Sequence, residues 1–248
     1  MSAENIARRA QPTRTSQRPS QQPWAGAAGW ALNGAALALM GYLVVAVTLG
    51  AGFEQDLAAA AEREGVAVNA VATSTQAQIT HDHALYALIT GLSLLLPPAF
   101  LLRAAGKVAT GPGGGLAHLA WWSALATLIV WWTYVVLGLG LFADPENLPP
   151  LVRDFGPLTV PLVSALSVLA LGSLVFASEA VRGADVARRS ARVATVVSIL
   201  LGALSLLALF ATGFEDPVVP IVIVPGALIL GIALLRSNRR PPAASRAR

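Results

Sequence analysis

The chain has 248 residues, of which 55% are hydrophobic and only 12% are charged, and its formal net charge is +4 at pH 7. Soluble domains carry about a quarter charged residues, so this composition excludes an ordinary soluble protein and indicates a membrane protein. The basic residues lie in short segments between apolar runs, a distribution that argues against nucleic-acid binding. Cysteine is absent, which excludes disulfides and thiolate-bound metals or clusters.

The two ends of the chain differ from the apolar interior. Residues 1–25 are polar and rich in Gln, Ser and Pro, and they predict a disordered tail. The next apolar run is too long for a cleaved signal peptide, so we expect it to remain as the first span. Residues 237–248 form a basic tail that can touch anionic lipid headgroups. Residues 26–236 between these tails are predicted to form one transmembrane domain.

Six apolar runs succeed one another along the chain, and each approaches the roughly 20 residues that a helix needs to cross a bilayer. None contains Asp, Glu, Lys or Arg, and their continuity favours helices over alternating strands. We therefore predict an all-α integral membrane protein with six transmembrane helices. The predicted spans are residues 30–50, 84–102, 119–142, 158–177, 193–211 and 218–235.

Lys and Arg set the predicted direction of the spans, because short loops rich in these residues stay in the cytoplasm. Of the 17 Lys and Arg residues, all except Arg63 and Arg153 fall in the two tails and in the loops after the second and fourth spans. An odd number of spans would mix the two sides. Both termini are therefore predicted to be cytoplasmic, and the Arg- and Ala-rich composition favours a bacterial plasma membrane.

A Phe residue with acids shortly after it recurs at the predicted outer end of each odd-numbered span. An acid just after a helix C-terminus opposes the helix dipole at a cost of roughly 0.3–1 kcal/mol, so we expect these acids to cap the next helix or turn instead. Asp216 would open the sixth span and Asp144 a short turn. Asp56 would cap an outer helix that Gly65 ends. An internal repeat of three helical hairpins is the alternative.

Polar side chains recur at steps of three and four along the second span and so form one stripe. Lipid offers such groups no partner, so the stripe should face other helices or a cavity. Two adjacent prolines remove backbone donors and predict a kink in the inner third of this span. The stripe consists of His83, Tyr86, Thr90, Ser93 and Pro97.

The third span carries a matching stripe of Ser123, Thr127, Trp131, Tyr134 and Gly138. Trp131 is predicted near the membrane midplane, where its indole N–H needs an acceptor. The two stripes predict either a packing seam, with hydroxyls bonded to backbone carbonyls, or a polar-lined pocket between the spans. In a pocket, the ligand contacts would be His83, Tyr86, Thr90, Ser93, Thr127, Trp131 and Tyr134.

No pattern predicts a metal, a cofactor or an enzymatic activity. His81 and His83 diverge whether the backbone is helical or extended, and His118 is predicted at the opposite membrane face. The chain contains no Walker motif, Rossmann glycine pattern, nucleophile elbow or zinc-ligand spacing.

Small residues at four-residue spacing predict close helix packing at Gly34 and Ala38 in the first span and at Ala194, Ser198 and Gly202 in the fifth. These faces and the short loops favour a non-catalytic subunit or scaffold that assembles with other membrane subunits or with itself. The polar stripes favour the alternative, a small-solute permease or a membrane-embedded binding component of a transporter. The outer segment 57–80 can lie over the bundle as a lid or dock a partner.

Overall fold

The computed structural model describes residues 22–142, 148–153, 155–213 and 220–239. These ranges are helical apart from short connections and contain no strand. Six helical stretches are long and apolar enough to cross a membrane. The prediction of six apolar spans in an all-α chain is therefore confirmed, whereas the compartment that each chain end faces stays a prediction.

Ten α-helices lie in the described ranges, and three 3₁₀ turns accompany them. The first to sixth spans are α1, α4 together with α5, α6, α8, α9 and α10. The helices are α1 (Pro23–Leu49), α2 (Ala51–Glu64), α3 (Thr73–Asp82), α4 (Ala84–Ser93), α5 (Leu96–Thr110), α6 (Gly114–Leu139), α7 (Pro150–Arg153), α8 (Phe155–Gly183), α9 (Arg188–Ala211) and α10 (Val224–Arg239). The 3₁₀ turns are Val68–Ala70, Gly140–Phe142 and Pro220–Ile223.

The helices extend beyond the predicted apolar runs. The first span begins at Pro23 rather than near residue 30, because proline fits the first helical turn, where no backbone donor is required. The last span continues to Arg239. Hydropathy marks the stretch that suits hydrocarbon, whereas helical hydrogen bonding continues beyond it. Residues 1–21 and 240–248, which hold most of the two predicted tails, lie outside the described residues.

The six spans form a ring in which each packs against its sequence neighbours, and α10 closes the ring against α1. The fourth span lies deepest in the bundle: 56% of its apolar window is buried, against 22% for the first span. Hydrogen bonds join it to the third span. Ser123 Oγ donates to Leu169 O at 2.7 Å, and Ser173 Oγ donates to Ala120 O at 3.1 Å.

The backbones of α1 and α10 approach each other at glycines. A Cβ built on Gly29 would lie 2.8 Å from Gly231 O. Asn33 Nδ2 donates to Gly29 O at 2.9 Å, and the Asn33 side chain lies against Gly231. Gly26 lies against Asn238, so the start of the first span and the end of the last are at the same end of the bundle.

The predicted small-residue face of α9 lies at contacts within this chain. Ser198 Oγ would lie 2.4 Å from a Cβ built on Gly226 of α10, so no larger residue fits there without a shift. Gly202 lies against Leu171 of α8. Ala194 is 1% exposed. The fifth span therefore uses this face to pack against the fourth and sixth spans.

On α1, Gly34 of the predicted pair lies at a helix contact, but the approach of two backbones falls at another glycine. Gly34 lies against the ring of Phe100 in α5, and Ala38 is half-buried. The approach of two backbones falls at Gly29 and Gly231 instead. Four-residue spacing identifies a face that permits close contact, but the partner helix decides which turn uses it.

The second span is broken at Leu94, where α4 ends before α5 begins. Pro97 and Pro98 lie in the first turn of α5. Neither proline can donate to the carbonyls of Ser93 and Leu94, one turn back, so the continuous helix stops there. The predicted kink is thus a break. Beyond it α5 packs more extensively on the third span than α4 does, although Gly91 of α4 lies against Leu139 of that span.

Residues 51–82, here called the lid, fold over one end of the bundle between α1 and α4. Gly65 ends α2 in a left-handed conformation with φ of 67°, as predicted. The capping role predicted for Asp56 is wrong, because α2 already begins at Ala51 and Asp56 lies inside it. The roles predicted for Asp144 and Asp216 fall outside the described residues.

Candidate ligand-binding cavity

A cavity of about 580 Å³ lies beneath the lid, among the first four spans. This volume falls within the roughly 300–1,000 Å³ that is typical of small-molecule sites. Tyr42, Thr90 and Tyr134 line it about two turns inside their spans. At 1.5 Å per residue, the cavity therefore reaches roughly 10 Å below the lid end of the bundle.

The wall of the cavity is largely aromatic and aliphatic. All three tyrosines of the chain line it: Tyr42 from α1, Tyr86 from α4 and Tyr134 from α6. Phe53 of the lid and Phe142 after α6 add two further rings. The rings of Phe53 and Tyr86 contact each other, with centroids 5.3 Å apart and planes tilted by 46°.

Most polar groups on the wall already have partners. Thr90 Oγ1 donates to Tyr86 O at 2.8 Å. Thr80 Oγ1 donates to Gln76 O at 2.8 Å, and Gln76 Nε2 donates to Val71 O at 2.9 Å. Within the described part of the chain, the hydroxyls of Tyr42 and Tyr86 make no hydrogen bond. Two tyrosines of the lining therefore keep a free phenol donor, and the Tyr86 hydroxyl lies beside Gly50 at the junction of α1 and α2.

Among the described residues that line the cavity, none is Asp, Glu, Lys, Arg or His. A hydrogen bond lies above it, where His83 Nε2 and Asp56 Oδ2 are 2.8 Å apart. His83 also meets the edge of the Phe53 ring, with centroids 5.9 Å apart. The described lining is thus uncharged, although the exposed Glu54 carboxylate of the lid acts electrostatically on Tyr42 and Tyr86.

Several side-chain contacts hold the lid in place. The Asp56–His83 pair joins α2 to the start of α4, and Thr73 Oγ1 donates to Arg153 O of α7 at 2.7 Å. Within the lid, Glu64 accepts the Ala72 N–H at 2.9 Å and the Thr75 hydroxyl at 2.7 Å. These two hydrogen bonds, the first above all, lower the pKa of the Glu64 carboxyl.

The predicted stripe on the second span divides among several environments. Tyr86 and Thr90 line the cavity. His83 lies at its edge in the pair with Asp56, and Ser93 Oγ donates to Thr90 O at 2.8 Å, away from the cavity wall.

The predicted stripe on the third span divides in the same way. Tyr134 lines the cavity. Trp131 is 1% exposed in the bundle core, and Thr127 is fully buried and donates to Ser123 O at 2.8 Å. The tryptophan that reaches the second span is Trp132, whose Nε1 donates to Leu95 O at 3.3 Å.

Other lining residues were not predicted from the sequence, among them Tyr42, Phe53, Gln76, Thr80 and Thr159. One signal existed for Tyr42, which stands two turns inside an apolar span rather than at its end, where aromatic belts form. No sequence signal identified Gln76 and Thr80, because these residues reach the cavity only when the lid folds back over the spans.

The apolar spans and their packing indicate a polytopic helical membrane protein. Comparison with protein-family models, with curated proteins and with solved structures finds no match for this chain. The cavity itself is therefore the main structural indication of a function.

Proposed function

We propose that this protein binds a small molecule within the membrane, as a permease or as the membrane-embedded binding component of a transporter. The observation that carries the proposal is the cavity of about 580 Å³ under the lid. Protein interiors are close-packed and leave few voids larger than a water molecule. A largely apolar cavity with a few converging polar groups is the usual form of a small-molecule site.

The lid supports this proposal because it supplies part of the wall. Phe53 and Leu57 come from α2, and Gln76 and Thr80 come from α3. A segment that served only to connect two spans would need neither these contacts nor the ties to His83 and α7. Movement of the lid is then a direct route for a ligand to enter or leave.

Membership in a larger complex, the function that the sequence favours first, has weaker support. Its main support in the sequence is the pair of small-residue faces. On α9 this face packs within the chain, because Ser198 contacts the sixth span and Gly202 contacts the fourth. Assembly with other membrane subunits, self-association and the absence of enzymatic activity stay predictions from the sequence.

Photolabelling in lipid nanodiscs tests the binding proposal. The probe is an iodophenyl diazirine, which is uncharged and apolar, and mass spectrometry locates the label. We expect labelling around Tyr42, Tyr86 and Tyr134 to saturate with probe concentration. Ala87→Phe should reduce it several-fold, because Ala87 lines the cavity and the added ring fills it.

Leu88→Phe is the matched control, since it places the same ring one residue away on a side chain that is 45% exposed on the bundle surface. Labelling of the cavity in this variant should equal labelling in the unaltered protein. Labelling that rises without saturation and is equal in all three proteins would contradict the proposal, because it would reflect probe dissolved in lipid.

A further inference from the structure

We infer that the ligand of the cavity is an uncharged amphiphile, with an apolar body and a hydrogen-bond acceptor held by the phenols of Tyr42 and Tyr86. Ether, ester and ketone oxygens are acceptors of this class. The inference rests on the proposed binding function and specifies its ligand. Three features of the wall lead to it: its neutrality, its free donors and the packing of its rings.

The absence of charged side chains from the described wall disfavours a charged head group. A charge moved from water into an apolar site loses its hydration and is tolerated only beside a compensating partner. Among the described lining residues no carboxylate, ammonium, guanidinium or imidazole is present to compensate it. Asp56 and His83 are near and hydrogen-bond to each other. Glu54 of the lid is exposed and does not line the cavity, but it acts electrostatically on both phenols and so repels an anion.

The free donors select an acceptor. The hydroxyls of Thr80 and Thr90 donate to carbonyls of their own helices, and the Gln76 amide donates to Val71 O. The phenols of Tyr42 and Tyr86 have no such partner within the described chain. A phenol enclosed by a ligand needs an acceptor, and the ligand must supply it.

A quaternary ammonium ion is the strongest competing ligand, because aromatic faces attract such cations. The packing of the rings weighs against it. Phe53 and Tyr86 contact each other at 5.3 Å between centroids, so these two rings partly cover each other instead of facing each other across an open gap. The Glu54 carboxylate, which acts electrostatically on Tyr42 and Tyr86, is not part of the described wall, so a trimethylammonium probe tests this competitor directly.

Four photoprobes that share one diazirine-bearing decyl chain test the inference in nanodiscs. One probe ends in a methyl ether, one in a plain methyl group, one in trimethylammonium and one in sulfonate. We expect saturable labelling of the cavity by the methyl ether at the lowest concentration. The probe that ends in a plain methyl group should need a roughly three- to tenfold higher concentration, which corresponds to the free energy of one neutral hydrogen bond. The two charged probes should not saturate the site.

Substitution of the phenols makes the test specific to the hydrogen bond. Tyr42→Phe and Tyr86→Phe keep the rings and remove only the hydroxyls. The double variant should bind the methyl ether no better than the hydrocarbon and should leave hydrocarbon labelling unchanged. Monodisperse elution and an unchanged thermal midpoint establish that the variants are folded.

The outcomes separate this inference from the binding function. Saturable labelling by trimethylammonium or sulfonate at equal or lower concentration would overturn the uncharged class and leave a binding site in place. An ether preference that survives in the double variant would overturn the role of the phenols. Failure of all four probes to label the cavity saturably would overturn both the inference and the binding function.

Discussion

At the residue scale, the absence of a side chain sets how closely two spans meet. Gly29 and Gly41 both lie within α1 and both have helical neighbours. A Cβ on Gly29 would lie 2.8 Å from Gly231 O of α10, closer than carbon and a carbonyl oxygen can approach. A Cβ on Gly41 would have nothing within 4 Å. The two glycines therefore allow the same substitution to be tested with and without a partner backbone.

We expect Gly29→Ala to lower the free energy of unfolding by about 1–3 kcal/mol, because α1 and α10 must separate to admit the methyl group. Gly41→Ala should be neutral or stabilise by up to about 1 kcal/mol, since alanine is the better helix former. Thermal or denaturant unfolding in detergent micelles measures both. Equal stability of the two variants would mean that α1 and α10 do not meet at Gly29.

At the element scale, the lid combines a small apolar cluster of Ala60, Ala61, Val71 and Ile79 with local hydrogen bonds. Glu64 at the end of α2 joins the start of α3 through Ala72 and Thr75. The pKa of the Glu64 carboxyl is lowered by these bonds, so the ionised form is the one that the folded lid prefers. These two hydrogen bonds of Glu64, here called the clasp, therefore stabilise the lid fully at pH values above the ordinary carboxyl pKa of about 4.3. The stabilisation is lost as pH falls through the lowered value.

Hydrogen exchange of the lid should reveal this dependence. After correction for intrinsic rates, we expect exchange at Ala72 to be constant from neutral pH down to about pH 5 and to accelerate below about pH 4. Glu64→Gln should exchange faster at neutral pH and lose most of the pH dependence. Glu62→Gln removes a neighbouring exposed carboxylate and should retain the profile of the unaltered protein. A profile unchanged by Glu64→Gln would show that the clasp does not hold the lid.

At the scale of the whole molecule, the ring of spans brings both ends of the described chain together. Gly26 meets Asn238, and Trp24 meets Gly111 in the connection between the second and third spans. This arrangement agrees with an even number of crossings. It leaves the side undetermined, and only the distribution of Lys and Arg predicts that this end is cytoplasmic.

Cysteine accessibility decides the orientation cleanly, because the chain has no cysteine of its own. A membrane-impermeant maleimide should label Val66→Cys, which is in the lid, in intact cells. Arg189→Cys, in the first turn of α9 at the end opposite the lid, should be labelled only after the membrane is permeabilised. Both positions are exposed in the bundle. The opposite pattern would invert the predicted topology, and labelling of both sites in intact cells would refute six crossings.

The candidate site was predictable only in part. Steps of three and four identified Tyr86, Thr90 and Tyr134, which do line the cavity. The same rule selected Trp131, which lies in the core. Periodicity assigns residues to one face of a helix, but it does not give the rotation of that helix relative to its neighbours. The position of Tyr42 on the cavity wall depends in addition on which spans lie next to the first span.

The sequence by itself determined the number of spans, their apolar limits and the charge asymmetry, because hydropathy and charge are properties of local stretches. The tertiary structure alone decided that a cavity exists. It depends on which spans are adjacent and on a lid that folds back to contribute Phe53 and Thr80. Each of these sets a distance between segments far apart in the chain, and no pattern within one segment encodes such a distance.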